Sequence, residues 1–375
     1  LKPGRYNNYF ASLLFFFFLS NFYYTSFSDT VLTESLFFSF INFSASLLLH
    51  KNFLFNYKFF PIVFGLLLGG IVYIKSIGIV ISILFFFIFI YKSINYKKFY
   101  SVFFFFIGLF FMLLIEKKFN TDNQDNESSV LSRSLSGKIF MLCGNKNFDL
   151  SLFKPEFSEY ILLFLNESKK INNYLDKLNN PFLIANLKSD YETVGQYKYD
   201  EKLSHFFEKY DDDYIENLKV QITSKIIKNY PKEYLKLSLW HYLGLWSPGG
   251  KHIFLDYNDE IPFPKLLEKS SGKILEIQKE KLLIGFLFFI ISLCFFTFFT
   301  IRGIYIFLKD PLDGDHTFTF MLITCQIYFI TVCLTNVSTP RYLMPFFPLI
   351  TIFICIYIKD LFNYLNKKKN NVKIK

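Results

Sequence analysis

Ionisable side chains at the ends of apolar stretches are where chemistry is sought first in this 375-residue sequence, because placing charge at membrane depth costs free energy. The run Ser28-Asp29-Thr30-Val31-Leu32-Thr33-Glu34 holds two carboxylates with no basic residue beside them. Against an apolar surface a carboxylate loses hydration, its pKa rises, and it can serve as a base. Asp29 or Thr33 would equally suit the N-cap of the following helix. Lys75 comes after Gly65, Gly69 and Gly70, small residues that let helices pack closely. A cation held there needs a counter-charge, Glu34 or a phosphate, unless its flexible stem carries the ammonium to water. Arg341 and Tyr342 lie in Thr339-Pro340-Arg341-Tyr342-Leu343-Met344-Pro345-Phe346-Phe347-Pro348. A guanidinium on a Pro-stiffened backbone suits bidentate phosphate binding, and tyrosine favours the membrane–water interface.

The elements that would position these residues are apolar helices. With 53 Phe, 25 Tyr and 52% hydrophobic residues, the chain carries more apolar surface than an ordinary globule hides. Stretches near the about 17–25 residues that span a bilayer occur at 9–27, 35–50, 59–74, 76–91, 99–115, 282–301, 317–335 and 342–358. The expected fold is therefore a polytopic α-helical membrane protein of about eight spans. An α/β or mainly α outer domain, 116–281, is inserted between the fifth and sixth. The expected organisation is helices in 1–115, the outer domain, helices in 282–358, and a basic tail at 359–375.

Cytoplasmic loops carry the excess of Lys and Arg. One set of helix ends holds fifteen basic residues, among them Lys92, Lys97, Lys98 and the tail lysines, whereas the opposite short loops hold only Lys75 and Arg341. Both termini are thus expected inside and 116–281 outside. The formal net charge of +10 raises a nucleic-acid reading, which its distribution removes. Segment 116–281 has 24 basic and 25 acidic residues, so the surplus flanks the membrane. Five cysteines give no disulfide framework: four lie in apolar stretches and Cys143 stands alone in the outer segment. No metal or nucleotide motif occurs, and the five histidines are scattered.

In the outer segment, 117–136 reads as a linker, SGKIFMLCGN as a short strand and FSEYILLFLNESKKINNYLDKL as a helix. Asp211-Asp212-Asp213 reads as a solvated helix start, with cation binding as the other reading. Residues 214–246 read as two helices meeting at Pro231 and stopped by SPGG at 247–250. The second carries both Trp240 and Trp246, and lies either on the lipid headgroups or in a domain core.

Arg341-Tyr342-x-x-Pro345-x-x-Pro348 at the head of the last span resembles class-C membrane glycosyltransferases. The similarity is to bacterial relatives of the dolichyl-phosphate-mannose protein mannosyltransferases and of the lipid A aminoarabinose transferases. Leu32-Thr33-Glu34 opening a span, the Gly-rich helix ending in Lys75, and Lys228-Asn229-Tyr230-Pro231-Lys232-Glu233-Tyr234-Leu235 are similar to further parts of that family. The resemblance implies transfer of a sugar from a polyprenyl-phosphate donor to an acceptor on the outer side of a bacterial inner membrane, with the outer domain periplasmic and the C terminus cytoplasmic. It implies Arg341, Tyr342 and Lys75 at the donor phosphate, and Glu34 and Asp29 as supporting acidic residues. Lys75 stands where the family often has Arg-Pro. The implied partners are membrane lipid and the lipid-linked sugar, with no nucleic acid; a divalent cation is compatible and no metal ligands are assigned. The family's main catalytic acid lies nearer the N terminus than any residue here, and the chain opens on Leu1. The expectation is the C-terminal part of a longer enzyme, inactive alone. The alternatives are an envelope polysaccharide polymerase or ligase, which would place its Arg residues in the large loop where only Arg133 occurs, or a non-catalytic polytopic protein.

Overall fold

A computed structural model describes residues 32–75, 77–120, 130–179, parts of 181–192, 206, 208–246, 279–311, 316–335 and 342–355. The regular elements among them are helices, and no strand occurs among the described residues. The chain divides into two compact units. One comprises 1–123, 285–328 and 343–375; the other comprises 124–284 and 329–342.

In the first unit α1 (Leu32–Leu49), α2 (Lys51–Asn56), α3 (Phe59–Ile74), α4 (Gly78–Asn95) and α5 (Tyr100–Asn120) follow one another with short connections. Their Phe, Ile and Leu runs leave no polar face, and Phe103, Phe106, Phe110 and Phe111 of α5 remain exposed. An apolar surface of that extent belongs against lipid or another protein rather than water. The helical stretches Gly78–Asn95, Ile290–Lys309 and Thr317–Thr335 are long and apolar enough to cross a membrane. Leu36–Leu49, Phe59–Ile74, Tyr100–Ile115 and Met344–Cys355 are apolar but shorter. The expected span at 9–27 lies outside the described residues.

Two glycines fix how α3 and α5 cross. A Cβ on Gly65 would stand 2.2 Å from the carbonyl oxygen of Phe105, and one on Gly108 would stand 2.0 Å from that of Ile62. The obstacles are backbone atoms, so a side chain at either position must push the helices apart. Beside the crossing, Phe64, Phe89 and Phe105 form a ring cluster with centroids 5.3–5.8 Å apart. Gly108→Leu is expected to lower the stability of this unit by about 1–3 kcal/mol, read as a reduced melting temperature in detergent. An unchanged melting temperature would contradict the crossing.

Lys92, one of the basic residues at the helix ends, sits in the last turn of α4 but is buried rather than exposed, and its ammonium donates to the carbonyl of Leu48 at the end of α1. Helix C-terminal carbonyls attract cations.

The second unit is built from α6 (Val130–Cys143), α7 (Pro155–Leu175), α8 (Asp212–Asn229) and α9 (Pro231–Leu245), with helical pieces in 181–192. Ile139, Phe140, Tyr160, Phe164, Ile222 and Ile226 lie in its core. The strand expected at SGKIFMLCGN is a helix: α6 ends at Cys143. It buries a face containing Ile139, Phe140 and Cys143, and a short apolar run does not by itself separate strand from helix. The expected linker is also cut back, because α5 reaches Asn120 and α6 begins at Val130.

The pair of helices around Pro231 is present. Asp211 caps α8, its carboxylate accepting from the Tyr214 amide at 2.7 Å, with Asp212 and Asp213 in the first turn where the helix dipole favours them. Pro231 occupies the first turn of α9, and Trp246 caps its end; SPGG at 247–250 lies outside the described residues. α9 is a core helix on the side of Tyr234, Leu237 and His241, and Trp246 is fully buried with its ring edge-on to Phe329 at 5.8 Å. Leu235 and Leu239 face outward.

Candidate functional site

Within the first unit, α1 gathers several of the residues singled out from sequence. Glu34 lies in its first turn. One turn on, Phe37 is buried and the Lys75 ammonium lies 5.5 Å from its ring centroid, a geometry in which the ring's negative face attracts the cation. Lys75 is half-buried immediately after α3, where its amide closes the helix by donating to the Ile71 carbonyl at 3.3 Å. Phe40 packs on Gly70, where an added Cβ would come within 2.5 Å of the ring. Asn42 then donates to the carbonyl of Pro345 at 3.0 Å, tying α1 to the 3-10 turn Met344–Phe346 that leads into the last helix.

One helix opened by a carboxylate thus receives both the basic end of α3 and the Pro-rich head of the last helix. Tyr342 is buried. Asp29 and Arg341 lie outside the described residues, so their placement is not part of this geometry. Among the described residues no group of three or more His, Cys, Asp or Glu side chains could hold a metal ion.

The second unit holds a polar cluster that sequence reasoning missed. Lys138 of α6, Glu192 and His241 of α9 are completely buried together. Lys138 Nζ lies 3.4 Å from Glu192 Oε1, 3.1 Å from His241 Nδ1 and 3.1 Å from the carbonyl of Cys333. The other ring nitrogen of His241, Nε2, contacts Glu192 Oε2. These partners fix the protonation pattern. Burial lowers the pKa of His241, Lys138 pushes it the same way, and Glu192 only partly opposes them. Burial would raise that of Glu192, but its interactions with His241 and Lys138 outweigh it and hold the carboxyl below its ordinary value. With its pKa lowered the imidazole is neutral at pH 7, its Nδ1 facing the ammonium and its Nε2 facing the carboxylate.

The ammonium donates to His241 Nδ1 and the Cys333 carbonyl and forms an ion pair with Glu192, the kind of compensation a buried charge requires. The cluster joins α6, α9, the 181–192 segment and Cys333, and its completely buried side chains act as a clamp between them. Its three residues lie 54 and 49 positions apart in sequence and form no motif. The available signal was one histidine in the buried stripe Tyr234, Leu237, His241, Leu245.

Compared with protein-family models, with curated proteins and with solved structures, the chain matches none.

Proposed function

We propose that the chain belongs to a membrane glycosyltransferase that moves a sugar from a polyprenyl-phosphate donor to an acceptor on the outer face. In this reading eight spans place both termini in the cytoplasm and 116–281 outside. The observation that carries it is the convergence on α1: the helix opened by Glu34 receives Lys75 on Phe37 and the Pro345 carbonyl on Asn42. Lys75 and Arg341 are also the basic residues that depart from the charge bias of the short loops.

The chemistry follows from those residue types. The acceptor hydroxyl attacks the anomeric carbon, a carboxylate takes its proton, and the carbon–oxygen bond to the lipid phosphate breaks. Cations beside that phosphate stabilise the charge that grows on it. Glu34 and Asp29 support the acidic side, and Lys75, Arg341 and Tyr342 the phosphate side.

In native membranes carrying the full-length protein, Lys75→Gln and Arg341→Ala are each expected to slow release of polyprenyl phosphate from a lipid-linked sugar by about 10²-fold or more. Membrane insertion should be unchanged. Wild-type turnover in both variants would reject the phosphate role.

A further inference from the structure

The second unit contains a cavity of about 410 Å³ bordered by the turn after α6, the C-terminal end of α7 and one side of α9. That volume falls within the about 300–1,000 Å³ of small-molecule sites. Its wall combines apolar side chains such as Met141, Leu142 and Leu178 with a set of amines and amides. Lys188, Lys232 and Lys236 line it together with Asn145, Asn147 and Asn172. The carboxylates present are Asp176 and Glu233, and Asp176 already faces the Lys146 ammonium at 3.0 Å. The cavity therefore carries a positive surplus.

Asn172 spends both amide hydrogens on the carbonyls of Met141 and Ser168, at 3.1 and 3.0 Å. What it can still offer a ligand is its carbonyl oxygen, an acceptor for a hydroxyl. Trp240, half-buried on the same wall, adds a flat apolar face, and aromatic rings of this kind combine apolar area with a polar edge. Cations for one negative group, amides for several hydroxyls and an indole for the C–H face of a ring make a single pattern.

We infer that this cavity binds an anionic sugar, a pyranose-sized ring bearing one carboxylate or phosphate group. Lys188 holds the anion at the inner end, Lys232 and Lys236 close over it from α9, and the asparagines read the hydroxyls. Neither the membrane-face residues nor a lipid-linked donor enters this inference, which goes beyond the function proposed above.

The test uses the purified full chain in phosphatidylcholine nanodiscs, titrated with glucose 6-phosphate, glucuronate, glucose and inorganic phosphate. Tryptophan fluorescence and calorimetry serve as readouts. Both anionic sugars should bind and compete with each other, with glucose and inorganic phosphate each at least about tenfold weaker, the loss of roughly one charge-assisted contact or one set of hydroxyl contacts. Lys232 and Lys236 are exposed, so Lys232→Ala with Lys236→Ala leaves the core intact and should weaken the anionic sugars at least about tenfold.

A pH series adds a second reading. Burial lowers the pKa of Lys188 to about 8, with Asp176 and Glu192 raising it and Lys236 lowering it further. Affinity should accordingly be full near pH 7 and fall toward pH 9 as Lys188 loses its proton. Absence of binding by both anionic sugars, or binding indifferent to the double substitution, would overturn the site. Glucose binding as well as glucuronate would overturn its anionic character, and phosphate binding as well as glucose 6-phosphate would overturn the sugar.

Discussion

Lys138→Met is expected to lower the stability of the second unit by about 3–5 kcal/mol, the usual cost of removing one member of a buried ion pair. The side chain removed is a good volume match, so little of the loss comes from packing. The loss comes from Glu192. Its carboxylate is completely buried, and with the ammonium gone it keeps only the contact from His241 Nε2. The Cys333 carbonyl and His241 Nδ1 lose their donor in the same step.

The measurement is urea unfolding followed by tryptophan fluorescence. Both tryptophans of the chain, Trp240 and Trp246, lie on α9 or at its cap, close in sequence to His241, so the signal reports this unit selectively. Replacing all three members by apolar residues of similar size should recover much of the loss, since no charge is then left unpaired. A single variant as stable as the wild type would show that the three groups do not depend on one another.

The helices of the first unit were legible because long apolar runs bounded by charged or turn residues leave few alternatives. Six of the eight apolar stretches fall on helices, the stretch 342–358 does so from Met344 as far as the described residues reach, and 9–27 lies outside them. In the second unit, caps carried the information. Asp211 and Pro231 marked the starts of α8 and α9 because a carboxylate accepts from free first-turn amides and proline has no amide to waste.

α6 failed for a complementary reason. After Lys138, Ile139-Phe140-Met141-Leu142-Cys143 is apolar on consecutive positions, so its periodicity is silent, and helical packing decided its state. Lys138 itself hid the clamp. A lysine beside an apolar run reads as a flank, and only the fold brings it to Glu192 and His241. In the first unit, residue type singled out Lys75 and the Pro-rich run containing Pro345, whereas their common attachment to α1 depends on side chains, Phe37 and Asn42, that look like ordinary apolar-helix residues in sequence.

Acidification is expected to destabilise the second unit in two stages, both set by the clamp. His241 is held neutral by burial, with a pKa below its ordinary 6.5. As pH falls below about 6.5, the unfolded chain binds a proton at this histidine that the folded chain refuses, so the unfolded state gains protons and stability drops. Glu192 has a folded pKa below its ordinary 4.5 despite its burial. Its contribution is complete above that value and disappears as pH falls through the folded pKa, adding the second stage.

The clamp's contribution should therefore be constant near pH 7, decline as pH falls below about 6.5, and decline more steeply below 4.5. Urea unfolding at each pH reads the slope directly. His241→Gln retains a side-chain donor for Glu192 but cannot take up a proton, so it should cost stability at pH 8 yet remove the decline between pH 6.5 and 5. Should that decline persist in the variant, the proton responsible binds elsewhere, and the assignment of a neutral imidazole between the Lys138 ammonium and the Glu192 carboxylate fails with it.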